Sequence, residues 1–329
     1  MSAAPTPRDT LLREGTARLY RFRAASGAPR ANAAAPLLLV PSLINRWYVL
    51  DLREGASMAG ALVSAGVDAF CLDWGVPEDE DRYLDWEAVL ARLARAVRVV
   101  KHTTGAKKVS LLGYCMGGTL ASIHAALHPD EIAALVDLAG PIDFSHGGML
   151  RTLVDERWFD PGAVAAAGNV TPSQMQNGFA ALRPTLAFSK WVGLVDRGFD
   201  PKAREAFDAL EAWSSDNVPF PGAAYETYIA DLYQGNKLVK GEHRAFGRRV
   251  DLAAITCPVL AIVAEKDAIC PPAAATALLR AVSSRDATEM KVPGGHVGAV
   301  VGSRASRELY PALARWLEER TGRPAAEAS

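Results

Sequence analysis

One short stretch constrains this chain more than any other: Gly113-Tyr114-Cys115-Met116-Gly117-Gly118. It is set between the apolar run Val109-Ser110-Leu111-Leu112 and the helix-forming Thr119-Leu120-Ala121. Glycines around a cysteine at a strand-to-helix junction predict a sharp turn whose flanks admit no side chain. Such a turn points its central sulfur at a helix N-terminus, where the dipole and unpaired N–H groups stabilise a thiolate. Cys115 is therefore the candidate nucleophile. The bland alternative is a glycine-rich turn around a buried structural cysteine. The remaining cysteines, Cys71, Cys257 and Cys270, form no CxxC pair, and no structural zinc signature is present.

Elsewhere, short apolar runs alternate with amphipathic stretches. Strands are predicted at Pro36–Pro41, Val67–Asp73, Lys108–Leu112, Ile132–Leu138, Pro258–Ala264 and around Thr288–Val292. Helical patterns cover Arg53–Ala65, Asp85–His102, Gly117–Leu127, Pro272–Val282 and Arg304–Glu319, with Val89, Leu90, Leu93, Ala96 and Val97 on one face of the second. Strands alternating with helices of this length predict an α/β architecture on a mostly parallel, doubly wound sheet. The rhythm breaks from Asp143 to about Arg249, where Trp158-Phe159, Trp191, Trp213, Tyr225, Tyr228 and Tyr233 accumulate. That stretch reads as an inserted, mainly helical cap, or as a helical elaboration with no lid role. The predicted organisation is a polar lead over 1–35, a core over 36–142 and 250–320, a cap over 143–249 and a flexible tail over 321–329.

A thiol nucleophile needs a base, and the base needs an orienting acid. Strand, cysteine turn and helix together match the α/β-hydrolase fold, in which nucleophile, acid and histidine follow in that chain order. Asp267 stands directly after the apolar run Ala261–Ala264, and His296 lies in the glycine-rich loop Pro293-Gly294-Gly295-His296. Asp143 is the rival acid. Of the six histidines, His296 alone is placed to serve. His102 suits a helix C-terminus, and His124 and His128 read as surface or packing residues despite their i, i+4 spacing. His146 and His243 lie in or beside the cap, either exposed or touching substrate. An oxyanion hole is expected from the backbone N–H groups of Met116 and, in the loop Pro41–Arg46, of Ile44.

With these residues placed, the sequence resembles the catalytic subunit of poly(3-hydroxyalkanoate) synthases, the shorter class III type above all. The likeness is carried by Val40–Leu52 with its Asn45-Arg46-Trp47-Tyr48-Val49-Leu50-Asp51-Leu52 string, by Leu72-Asp73-Trp74-Gly75 and by the cysteine turn. Trp213-Ser214-Ser215-Asp216-Asn217 and Tyr228–Leu238 extend it. The resemblance implies transfer of 3-hydroxyacyl groups from coenzyme A onto a growing polyester, with Cys115 attacking, His296 taking the proton and Asp267 orienting His296. It further implies a second, dissimilar subunit, a homodimer formed through the cap region, and a place at the surface of polyester granules. One position departs: the family's Asp-His-(Ile/Leu)-Val-Pro string reads Asp267-Ala268-Ile269-Cys270-Pro271 here. A cysteine-dependent thioesterase or esterase, and a non-catalytic relative that binds granules or a partner, are the alternatives.

Composition narrows the field further. A formal net charge of −1 draws the chain toward neither nucleic acid nor anionic lipid. No apolar run approaches a membrane span and no leader pattern opens the chain, which predicts a cytoplasmic protein. No cofactor or metal is expected.

Overall fold

Leu37 and Leu39 turn to one side of the sheet and Leu38 and Val40 to the other, and all four are buried. A strand apolar on both faces needs cover on both faces, and that requirement organises the fold. The computed structural model describes residues 3–23, 35–182 and 201–322. Among these, one eight-stranded sheet carries β1 (Arg8–Glu14), β2 (Ala17–Phe22), β3 (Leu37–Val40), β4 (Ala69–Asp73), β5 (Val109–Tyr114), β6 (Ile132–Leu138), β7 (Val259–Ala264) and β8 (Ala287–Val292). Their spatial order is β1-β2-β4-β3-β5-β6-β7-β8. The six strands from β4 to β8 pair in parallel, and the β1–β2 hairpin joins β4 antiparallel.

Helices α1 (Met58–Ser64), α2 (Trp86–Thr104) and α3 (Met116–Leu127) follow β3, β4 and β5 in the chain. Val89, Leu93 and Val97 of α2 pack with Leu38, Phe70 and Leu111 on one face of the sheet. Leu62 of α1 packs with Leu39, Leu112 and Val136 on the other, where Leu313 and Trp316 of the last helix, Tyr310–Thr321, join them. The sheet is thus doubly wound, as the sequence predicts. Strand order reverses between β3 and β5, and the crevice beyond the carboxyl ends of such strands is where ligands bind in open α/β sheets.

Three expectations need correction. The lead before residue 35 is not merely polar linker: β1 and β2 within it extend the sheet, turning at Gly15 with φ +55°. Leu19, Tyr20 and Phe22 are buried there, although the alternation with Arg18 and Arg21 hides them among charges. The helix expected over Arg53–Ala65 starts at Met58, capped by the Ser57 hydroxyl, after a small turn of paired strands at Asp51–Arg53 and Ala56–Ser57. The closing helix opens on a wider π-type turn over Ala305–Leu309, and Thr321 at its end accepts a bond from the Ala35 N–H.

Between β6 and β7 no described residue joins the main sheet. The described part of this stretch holds α4 (Gly148–Leu153), α5 (Pro161–Ala166), α6 (Pro172–Leu182), α7 (Pro201–Ser215) and α8 (Gly222–Thr227), the last continuing as a π-type turn over Tyr228–Gln234. Trp191 and the tail from 323 onward lie outside the described residues. No helix among the described residues is long and apolar enough to cross a membrane.

Candidate active site

Cys115 follows β5 in a conformation that side chains seldom adopt, φ +57° and ψ −130°. Holding a non-glycine residue there costs on the order of 1–3 kcal/mol, which the surrounding packing must offset. That packing is backbone against backbone. A Cβ on Gly117 would strike the carbonyl oxygens of Val40 and Pro41, and one on Gly113 would strike that of Gly117. A Cβ on Gly118 would meet the Asp137 carboxylate and Gly140. The predicted ban on flanking side chains is therefore a contact in space, made against β3 and β6.

The His296 Nδ1 lies 2.7 Å from Asp267 Oδ2, so the ring N–H donates to that carboxylate. Asp267 Oδ1 accepts from the N–H groups of Ile269 and Cys270 at 2.8 and 2.9 Å, fixing the carboxylate in its own loop. The His296 Nε2 is buried without a nitrogen or oxygen partner, which leaves it free to exchange a proton with Cys115. Burial alone would lower the His296 pKa. The negative charge of Cys115, followed by the bonds and charge of Asp267, instead raises it to about 10. Strand ends therefore bring together three side chains separated by up to 181 positions, with the Asp267 carboxylate orienting His296 beside Cys115.

Asp143, the rival acid, is engaged elsewhere. Its Oδ1 accepts from Ser145 and from Asn236 Nδ2 at 2.9 Å, and these bonds outweigh its burial to lower its pKa.

Met116 opens α3, where its N–H has no intrahelical acceptor. Met116 and Ile44, the two expected oxyanion residues, line the same cavity as Cys115. The cavity measures about 440 Å³. Its walls come from α4, α5, α6 and the Phe220–Tyr233 stretch, with Ile269 and Cys270 near the acid, and among the described residues no Asp, Glu, Lys or Arg lines it.

Several contributors were invisible in the sequence. Tyr114 stacks on His296 at 5.2 Å and 29°, and its hydroxyl approaches the His296 carbonyl at 3.5 Å. Its position beside Cys115 was the available signal. Asp137 is fully buried beneath the turn, accepts from the Gly140 N–H at 2.9 Å, and is driven well above the carboxylate range by that burial. Tyr228 and Tyr233 face the cavity, with Tyr228 stacked on Trp86 at 5.5 Å.

No histidine is among the described residues that line the cavity. His124 is buried, lowered to about 3 by desolvation, and packs on His128 at 4.8 Å. His146 stays exposed beside Asp143. His243 is not exposed, as expected, but fully buried 3.5 Å from Asp231.

The chain matches the family model of the α/β-hydrolase fold over residues 35–303. It is 36% identical over 318 residues to the poly(3-hydroxyalkanoate) polymerase subunit PhaC of Allochromatium vinosum, covering 96% of this chain and 89% of that one. To the subunit of the same name from Synechocystis sp. it is 35% identical, covering 96% and 85%. Among solved structures, a monoacylglycerol lipase from Paleococcus ferrophilus superposes with a TM-score of 0.53 at 18% identity, over 89% and 98%, a likeness of fold alone. The chain thus belongs to the poly(3-hydroxyalkanoate) polymerase family within the α/β-hydrolase superfamily, and is an acyltransferase.

Proposed function

We propose that the chain polymerises (R)-3-hydroxyacyl groups from coenzyme A thioesters, using Cys115, His296 and Asp267 as its triad. The thiolate of Cys115 attacks the thioester carbonyl, and the oxyanion meets the N–H groups of Met116 and Ile44. Collapse expels the coenzyme A thiolate, which takes its proton from His296. The acyl group now rests on Cys115 as a thioester, a good donor to an alcohol. The hydroxyl of a further hydroxyacyl unit attacks it while His296, oriented by Asp267, accepts the hydroxyl proton. The ester forms, Cys115 leaves as thiolate, and the chain is one unit longer.

The observation that carries this reading is the cavity around Cys115, which among the described residues no Asp, Glu, Lys or Arg lines. An apolar enclosure disfavours water as the competing acceptor, which a polymerase requires and a hydrolase does not. It also leaves the phosphates of coenzyme A outside, so the acyl portion alone enters. The second subunit, the homodimer, the cytoplasmic setting and attachment to granules extend the reading from the resemblance. Ala268, where the family has histidine, favours the hydrolase as the second reading.

Incubation with 3-hydroxybutyryl-CoA separates the two. Release of CoA with insoluble polyester is expected; release of CoA with only free hydroxy acid overturns polymerisation.

A further inference from the structure

We infer that a polar clasp between two distant strings of the sequence positions the oxyanion loop, and that Tyr48, Asp216 and Asn217 are positioning residues for acyl transfer. The inference rests on the acyl-transfer reading of Cys115.

The loop from Pro41 to Arg46 has no ladder of its own in the main sheet. It is held instead from residues about 170 positions downstream. Asn45 and Asn217 form an isolated antiparallel bridge, and Asn45 Nδ2 donates to Asn217 Oδ1 at 2.7 Å. Asn217 Nδ2 in turn donates to the Ser214 carbonyl at 3.0 Å. The Tyr48 hydroxyl donates to Asp216 Oδ2 at 2.7 Å, and Trp213 Nε1 donates to the Arg46 carbonyl at 2.9 Å. The Val218 N–H reaches the Ile44 carbonyl at 3.5 Å. Both strings were singled out by resemblance alone; here they face one another.

Packing does not require this arrangement. Two part-buried asparagines and a tyrosine–carboxylate bond are directional, and directional bonds fix orientation more than they add stability. What they orient is the backbone immediately after Ile44, with the Ile44 carbonyl and the Asn45 side chain both tethered. The Ile44 N–H then has little freedom to swing away from a developing oxyanion. Phe220, two residues beyond Val218, lines the cavity. One segment therefore shapes the acyl cavity and holds the oxyanion loop, so a well-seated acyl group and a well-aimed donor go together.

The test compares two reactions of Cys115. Acylation by 3-hydroxybutyryl-CoA, read as the burst of CoA, passes through an oxyanion. Alkylation by iodoacetamide is a displacement that forms none. Asn217→Ala and Asp216→Ala are expected to slow the burst about tenfold, less than the 10²–10³ that loss of a whole donor costs. Alkylation should stay within about twofold of wild type, because thiolate and access are untouched. Asp216→Asn keeps an acceptor for Tyr48 and should restore most of the burst rate. Tyr48→Phe removes a single oxygen from a bond at the surface, so it reports the same contrast even where the alanine variants fail to fold. Burst and alkylation falling together, or a lowered melting temperature with an unchanged burst, overturns the inference. A wild-type protein with no CoA burst overturns the acyl-transfer reading and the clasp with it.

Discussion

The turn at Cys115 and the aromatic cluster of the stretch between β6 and β7 are both largely buried, yet they are held by different means. The turn is packed mostly against backbone: Gly113 and Gly117 meet carbonyl oxygens, Gly118 and Gly140 meet each other and the Asp137 carboxylate, and none leaves room for a methyl group. The cluster is side chain on side chain. Phe144 meets Tyr233 at 4.8 Å, Tyr228 meets Trp86 at 5.5 Å and Phe220 meets Tyr225 at 5.5 Å, mostly edge to face. Backbone contacts of the first kind permit one geometry or none. Aromatic contacts of the second kind can re-form around a changed neighbour, because rotamers adjust where backbones cannot. The nucleophile is thus held regardless of what fills the cavity, whereas cavity shape depends on the cap side chains.

The largest effect expected on activity is that of Cys115→Ala, which should cut CoA release by at least about 10³-fold while leaving stability unchanged or improved. Its partner, Gly117→Ala, should do the reverse work on the fold. With carbonyl oxygens of β3 in the way, it should cost at least about 4 kcal/mol in chemical denaturation. Wild-type stability in Gly117→Ala would erase the contrast between turn and cap.

On the cap side, Phe220→Ala should destabilise by about 3 kcal/mol but keep CoA release within about tenfold of wild type. Water entering the enlarged cavity should move product from polyester toward free hydroxy acid. A polymer yield equal to wild type would show that the aromatic wall does not exclude water.

Electrostatics sharpen the comparison within the core. His296 is raised to about 10 against its burial, the charge of Cys115 being the largest raising influence. In Cys115→Ala that charge is gone while burial persists, so the His296 titration followed by NMR should move down. An unmoved titration would mean that Asp267 alone sets it.

The smallest effect concerns His124, which burial lowers to about 3. Below pH 6.5 the unfolded chain binds a proton that the folded chain refuses, so stability falls as pH falls toward 3. Between pH 6.5 and 4.5 this amounts to about 2 kcal/mol at 1.36 kcal/mol per pH unit. His124→Leu should flatten that limb of the stability curve.

The parallel strands were legible because strands buried on both faces must be apolar throughout, as Leu37–Val40 and Ile132–Leu138 are. The β1–β2 hairpin was not, because an edge hairpin interleaves Arg18 and Arg21 with its buried residues. Chain order located Cys115, Asp267 and His296, but it left Asp143 open as the acid. The 2.7 Å bond from His296 to Asp267, and the engagement of Asp143 by Ser145 and Asn236, favour Asp267. His243 looked exposed for want of any local pattern, and tertiary packing buried it.

The amino-acid sequence by itself determined the turn at Cys115, since a left-handed backbone flanked by close approaches is written locally in glycines. Tertiary structure alone decided what surrounds the sulfur: Tyr114 stacked under His296, Asp137 buried below, and Asn217 drawn against Asn45. These contacts join residues far apart in the chain, and such pairings exist only once the sheet has closed the distance between them.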